Sequence, residues 1–100
     1  MCMIAGYIGH RPAGPILLDM LRRQEAINGG FYTGIGTCDG EAFHVRKVVG
    51  SAAALEESTN LESLRGTIGI GHSRTDEGGG LPRAQPYLDC TNELGAALWV

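Results

Sequence analysis

The sequence predicts an α+β domain, and three observations carry that expectation. Short runs of β-branched and apolar residues recur along the chain. Sixteen glycines in 100 residues stand between those runs as punctuation and do not gather in one linker. One longer segment near the amino terminus repeats its apolar residues at helical spacing.

Residues 3–9 read as an opening strand, buried on both faces by their apolar content, with Gly6 and Gly9 marking a bend or a close backbone approach. His10-Arg11-Pro12 breaks it. Gly14 offers a cap position and Pro15 suits a first helical turn. Leu17, Met20, Leu21 and Ile27 share one side while Asp19, Arg22 and Arg23 take the other, so a helix is expected over 14–28, stopped by Gly29-Gly30. Residues 31–38 form a second strand, and Asp39-Gly40 is the signal of a two-residue type I′ turn returning the chain through 41–49. Ser51 and Asn60 cap two short helical pieces, 52–57 and 61–64, ended by Gly66. Residues 67–73 are another strand. From 74 to 86 three successive glycines, two prolines and several charges describe a mobile or ligand-shaped loop. A further strand begins at Gly95.

With 43% hydrophobic and 19% charged residues the composition is that of one globular domain, which excludes wholesale disorder and a multidomain chain. Eleven acids against eight bases leave a charge of −3, so neither nucleic acid nor an anionic membrane is an expected partner. No run approaches the roughly 18 apolar residues of a membrane span, and the start lacks the features of a secretory signal, which points to the cytoplasm. Three cysteines, an odd number, fit reduced thiols in that compartment. No Cys-x-x-Cys pair occurs and His10, His44 and His72 do not follow a zinc spacing, so no metal or other cofactor is expected. Asp39 and Asp89 stand beside Cys38 and Cys90 and disfavour their thiolates, which makes those two cysteines structural.

Cys2 differs because of its place. Once an initiator methionine is removed, this residue carries both a thiol and an α-amine. The amine has a reference pKa near 8, so a usable fraction is neutral at pH 7 and takes the thiol proton as a built-in base. The alternative is a cysteine that merely starts a strand. His72-Ser73-Arg74 closes a strand just before the glycine-rich loop, where a guanidinium can grip a carboxylate with two parallel hydrogen bonds. The alternatives there are a surface arginine and, for His72, a hydrogen-bonded packing residue. Asp76 and Glu77 suit an α-ammonium group, or else belong to a solvated loop.

Taken in order, Met-Cys-Met-Ile-Ala-Gly-Tyr-Ile-Gly at the start, the helix Leu17 to Glu25, the stretch Gly29 to Gly34, and Ile70-Gly71-His72-Ser73-Arg74 followed by Ala84-Gln85-Pro86 resemble the class II, N-terminal-nucleophile glutamine amidotransferases. The helix with its two arginines looks most like the glutaminase domain of glucosamine 6-phosphate synthase, and Ala-Gln-Pro-Tyr is closer to the amidophosphoribosyltransferase variant. The likeness covers essentially the whole chain. It implies an α/β/β/α sandwich in which Cys2 attacks the side-chain amide of glutamine and leaves a glutamyl thioester. The ammonia released passes to a synthase or isomerase domain. The resemblance also implies that Arg74 holds the substrate carboxylate, with Thr75 and Glu77 as further substrate contacts.

Met3 stands where the family usually has glycine, and Thr75-Asp76-Glu77 replace an aromatic, a small residue and threonine. These departures support the alternative of a non-catalytic regulatory or interaction domain of the same fold. The family continues beyond Val100 into an oxyanion-hole segment, so residues 1–100 are expected to be the amino-terminal portion of that domain, inactive alone and prone to self-association or homo-oligomer formation.

Overall fold

The geometry begins with the first helix and two glycines beneath it. In a computed structural model of the chain, residues 2–76, 78–92 and 95–99 are described, with backbone alone from 89 onward. Helix α1 (Ala13–Gln24) follows strand β1 (Cys2–Ile8), and its Leu17, Leu18 and Leu21 are buried. Strands β2 (Tyr32–Cys38) and β3 (Phe43–Val49) form a hairpin, helix α2 (Ala52–Ser58) and a single 3-10 turn (Leu61–Ser63) follow, and β4 (Ile68–Arg74) completes a sheet. Its order is β1-β4-β2-β3, every neighbour antiparallel. A second 3-10 turn (Leu81–Arg83) leads into a two-stranded ladder of β5 (Tyr87–Asn92) and β6 (Gly95–Trp99).

Both helices lie on one face of the four-stranded sheet. A Cβ on Gly69 would come within 2.9 Å of Leu17 Cδ1, and one on Gly71 within 3.0 Å of Leu21 Cδ1, so the missing side chains are what let α1 settle on β4. Ala5, Ile35, Ala52, Leu55 and Leu64 complete that core. The hydroxyls that share the face are satisfied, Thr33 Oγ1 donating to the Gly50 carbonyl and Thr37 Oγ1 to that of Arg65, each at 2.8 Å. Ser51 caps α2 by accepting from Ala54 N–H, and Glu25 Oε1 reaches over from the end of α1 to take Ala52 N–H at 2.6 Å. No helix among the described residues is long and apolar enough to cross a membrane.

Four expectations need correction. Strand β1 is not buried on both faces: Ile4 is 57% and Ile8 78% exposed, because the helices cover only the face that carries Ala5. Helix α1 ends at Gln24, where the amides of Ile27 and Asn28 both turn back onto the Gln24 carbonyl, leaving Ile27 outside the core. The β2–β3 connection is a four-residue turn and not type I′: Cys38 pairs with Phe43, and among the described residues no non-glycine residue has positive φ. The Asp39 carboxylate decides this by accepting from Glu41 and Ala42 N–H, each at 2.8 Å, and pairing with His44 Nε2. Strand β5 occupies residues 87–92, for which the sequence offered no element, and it starts where the expected loop 74–86 ends.

Candidate active site

Side chains that face each other across an antiparallel ladder share a face of the sheet. Cys2 is opposite Arg74, and Arg74 is opposite Tyr32, so these three form one row running across β1, β4 and β2. The next row is Ile4, His72 and Gly34. Both rows are on the face turned away from the helices. Directly opposed residues hold their Cβ atoms about 4.5–5.5 Å apart, which sets the Cys2 thiol beside the start of the Arg74 side chain. The thiol is free and exposed.

Arg74 is 7% exposed, and two contacts hold its guanidinium. Its Cζ lies 4.4 Å from the centroid of the Tyr32 ring, a cation–π distance. Nη2 donates to the Gly78 carbonyl at 2.8 Å. Nε is buried without a hydrogen-bond partner among the described residues. The Tyr32 hydroxyl accepts from Gly80 N–H at 3.3 Å and reaches Asp76 Oδ1 at 3.5 Å, while Asp76 Oδ1 also accepts from Gly78 N–H at 3.2 Å.

His72 is 1% exposed, and neither ring nitrogen has a hydrogen-bond partner among the described residues. It is a packing residue, though not the hydrogen-bonded one expected. Burial, and then the charge of Arg74, push its pKa below the usual histidine value, so the ring is neutral at neutral pH. Gly34, next to it in the row, has no side chain for a definite reason: a Cβ there would sit 1.9 Å from the Gln85 carbonyl oxygen and 3.0 Å from Pro86 Cδ. The chain at 84–87 therefore rests directly on the sheet. Lys47 holds it there, with Nζ donating to the Ala84 carbonyl at 2.9 Å and standing 5.0 Å over the Tyr87 ring.

The chain is 38% identical over 96 residues, 94% of its length, to a glutamine–fructose-6-phosphate aminotransferase [isomerizing] of Methanococcus maripaludis. Similar proteins of the same name occur in Pyrococcus horikoshii, 37% identical over 97 residues, and in Mycobacterium tuberculosis, 43% identical over 77 residues. The chain belongs among the relatives of glutamine–fructose-6-phosphate aminotransferase. It spans 16% of the length of the first two proteins and 12% of the third, while these matches cover 94%, 94% and 74% of the chain. No protein-family model matches it.

In this aminotransferase relative the residues marked by sequence divide clearly. Cys2 and Arg74 come together. Met3 pairs with Ser73 on the helix side, so its bulk is directed away from the row that holds the thiol. Thr75 follows the strand and is half-buried, Asp76 is exposed and engaged with Tyr32, and Glu77 lies outside the described residues. Cys38 is opposite Ile68 at the other end of the sheet, six residues or about 20 Å along β4 from Arg74, and takes no part in the row. The side chain of Cys90 is outside the described part. Tyr32, the second residue of the expected strand 31–38, carries no sequence signal of its own. Only the pairing of β2 with β4 reveals it as a neighbour of Arg74.

Proposed function

We propose that this chain carries the glutamine-hydrolysing site of a class II amidotransferase, with Cys2 as nucleophile and Arg74 as the grip on the substrate α-carboxylate. The observation that carries the reading is the register that sets Cys2 opposite Arg74 on one face of the sheet. After removal of Met1, the α-amine of Cys2 takes the thiol proton. The sulfur attacks the amide carbon of the glutamine side chain, and the carbon–nitrogen bond breaks as the proton passes to the leaving nitrogen, giving ammonia and a glutamyl thioester. Water then adds to the thioester carbon, the carbon–sulfur bond breaks, and glutamate leaves with the thiol regenerated. Thr75 and Glu77 are the further substrate contacts in this reading. The ammonia serves amino-sugar synthesis, the use that the names of the relatives record for those proteins, through a synthase or isomerase domain.

The same reading gives the sheet its second layer. Ile4, Ile8 and Ile68 are all exposed on the face that bears the site, which supports an N-terminal-nucleophile sandwich whose other sheet stacks there. The reduced thiols of Cys2 and Cys38 suit a cytoplasmic setting. Treatment of the full-length protein with an electrophilic glutamine analogue, followed by mass spectrometry, tests the assignment. An adduct on Cys2 of the Met1-free protein is expected, and a folded, Met1-free protein left unmodified at Cys2 overturns it. In the full-length protein, Arg74→Ala is expected to raise the KM for glutamine. An unchanged KM removes Arg74 from the site.

A further inference from the structure

We propose that Tyr32 is the positioning residue for Arg74, and that it acts in two opposed ways: its ring orders the guanidinium, and its hydroxyl stabilises a peptide that competes for it. The proposal rests on the reading of Arg74 as a carboxylate grip. Presenting a guanidinium fork to a carboxylate requires one fixed plane, and an arginine side chain left to itself samples many. Tyr32 supplies the plane. It is 4% exposed, directly opposite Arg74 in the β2–β4 ladder, with its ring 4.4 Å from the guanidinium carbon.

The hydroxyl works against the ligand. Nη2 of Arg74 already donates to the Gly78 carbonyl, which stands in for one oxygen of a carboxylate. Gly78 is held by Asp76 Oδ1 through its own N–H, and the Tyr32 hydroxyl contacts that same oxygen and accepts from Gly80 N–H. A carboxylate reaching Nη2 must displace the Gly78 carbonyl, so whatever anchors Asp76 and Gly80 lowers the apparent affinity of the ligand. One tyrosine thus sets both how well the fork is aimed and how firmly it is occupied.

In the full-length protein, replacing the whole side chain and replacing the hydroxyl alone are therefore expected to move glutamine binding in opposite directions. Tyr32→Leu removes the ring contact and is expected to raise the KM for glutamine about 3- to 30-fold, with kcat changing less. Tyr32→Phe keeps the ring, removes the hydroxyl's hold on Asp76 and Gly80 so that the Gly78 carbonyl is displaced more easily, and is expected to lower the KM about 2- to 5-fold. Two measurements need no glutamine. By NMR, the Arg74 Nε–H should exchange with solvent faster in Tyr32→Leu than in wild type and at the wild-type rate in Tyr32→Phe, and the Gly80 amide should exchange faster in both. An Arg74 Nε–H unaffected by Tyr32→Leu overturns the ring's role, and a KM raised by Tyr32→Phe overturns the hydroxyl's. Should Tyr32→Leu not fold, Tyr32→Phe decides alone: a Gly80 amide exchanging at the wild-type rate refutes the proposal. If the exchange rates move as expected while the KM stays constant in both variants, Tyr32 does position Arg74 and it is the carboxylate reading that fails.

Discussion

Replacing Gly34 with alanine tests whether the chain at 84–87 truly rests on the sheet. The added Cβ would stand 1.9 Å from the Gln85 carbonyl oxygen and 2.9 Å from its carbon. Ordinary carbon–oxygen contacts are about 3.3–3.6 Å, so the segment must retreat by about 1.4 Å. The Lys47 Nζ to Ala84 carbonyl bond, 2.9 Å now, would then stretch past any useful length. Overpacking of this kind costs about 1–3 kcal/mol, against which alanine recovers about 0.4–1 kcal/mol by restricting the unfolded chain. A net loss of about 1–2 kcal/mol is expected. Gly6→Ala is the control, because that position is exposed on β1 and nothing lies within 4 Å of a Cβ built there. It should be neutral or slightly stabilising. Urea denaturation followed by circular dichroism reads both variants. Moving the segment also uncovers the neighbouring row, so the His72 ring of Gly34→Ala should titrate closer to the ordinary value of 6.5 than in wild type. Equal urea midpoints for the two variants, or a His72 titration unchanged by Gly34→Ala, would refute the close approach.

The depressed pKa of His72 carries a pH dependence of definite sign. Its unfolded form binds a proton near pH 6.5 while its folded form resists, so the stability it contributes is complete above that value and is lost as pH falls toward the folded pKa. Against His72→Leu, the wild type should lose stability more steeply below pH 6.5, and parallel stability profiles would discount the burial of a neutral ring. Glu25→Ala removes the acceptor of Ala52 N–H at the start of α2 and should cost about 1 kcal/mol by urea denaturation, most of it recovered in Glu25→Gln. A variant as stable as wild type would show that α2 does not depend on this cap. Arg22→Ala should change stability by less than about 1 kcal/mol, since Arg22 and Glu56 form an ion pair with both side chains about half exposed. A larger loss would mean that the pair does more than join two solvated helix surfaces.

Much of the strand order was legible because each strand lies between glycines or capping residues that act locally. Ser51 and Asn60 accept from Ala54 and Glu62 N–H as their residue types suggest. What sequence could not supply was lateral placement. Asp39-Gly40 carries the letters of a two-residue turn, yet the carboxylate has a better use in collecting two amides and a histidine, and the loop widens to suit it. Ile27 has helical spacing to Leu21 and Met20, but the helix has already ended, so a periodicity argument placed an exposed residue in the core. Within the site, Cys2 and Arg74 were recognisable from their chemistry. The aromatic partner was hidden because it lies 42 residues from Arg74 in sequence, and only pairing across β4 brings them together.

The row of Cys2, Arg74 and Tyr32 is built from backbone pairing, and that makes it sensitive to an error no point mutation mimics. A slip of one residue in β1 would bring Met3 opposite Arg74 and send the thiol to the helix side. A slip of two would keep the faces and carry the thiol about 7 Å along the strand, leaving a well-folded sheet with the nucleophile out of reach. The apolar pattern of β1 does little to forbid this, since Ile4 and Ile8 on its outer side are both exposed. The correct alignment is instead favoured from α1: Gln24 Nε2 donates to the Ile4 carbonyl, and the Ala5 side chain packs into the core with the leucines of that helix. Weakening those contacts would yield a population of molecules that melt normally and lack a working thiol, so that the active fraction, more than the rate of each active molecule, would report the damage.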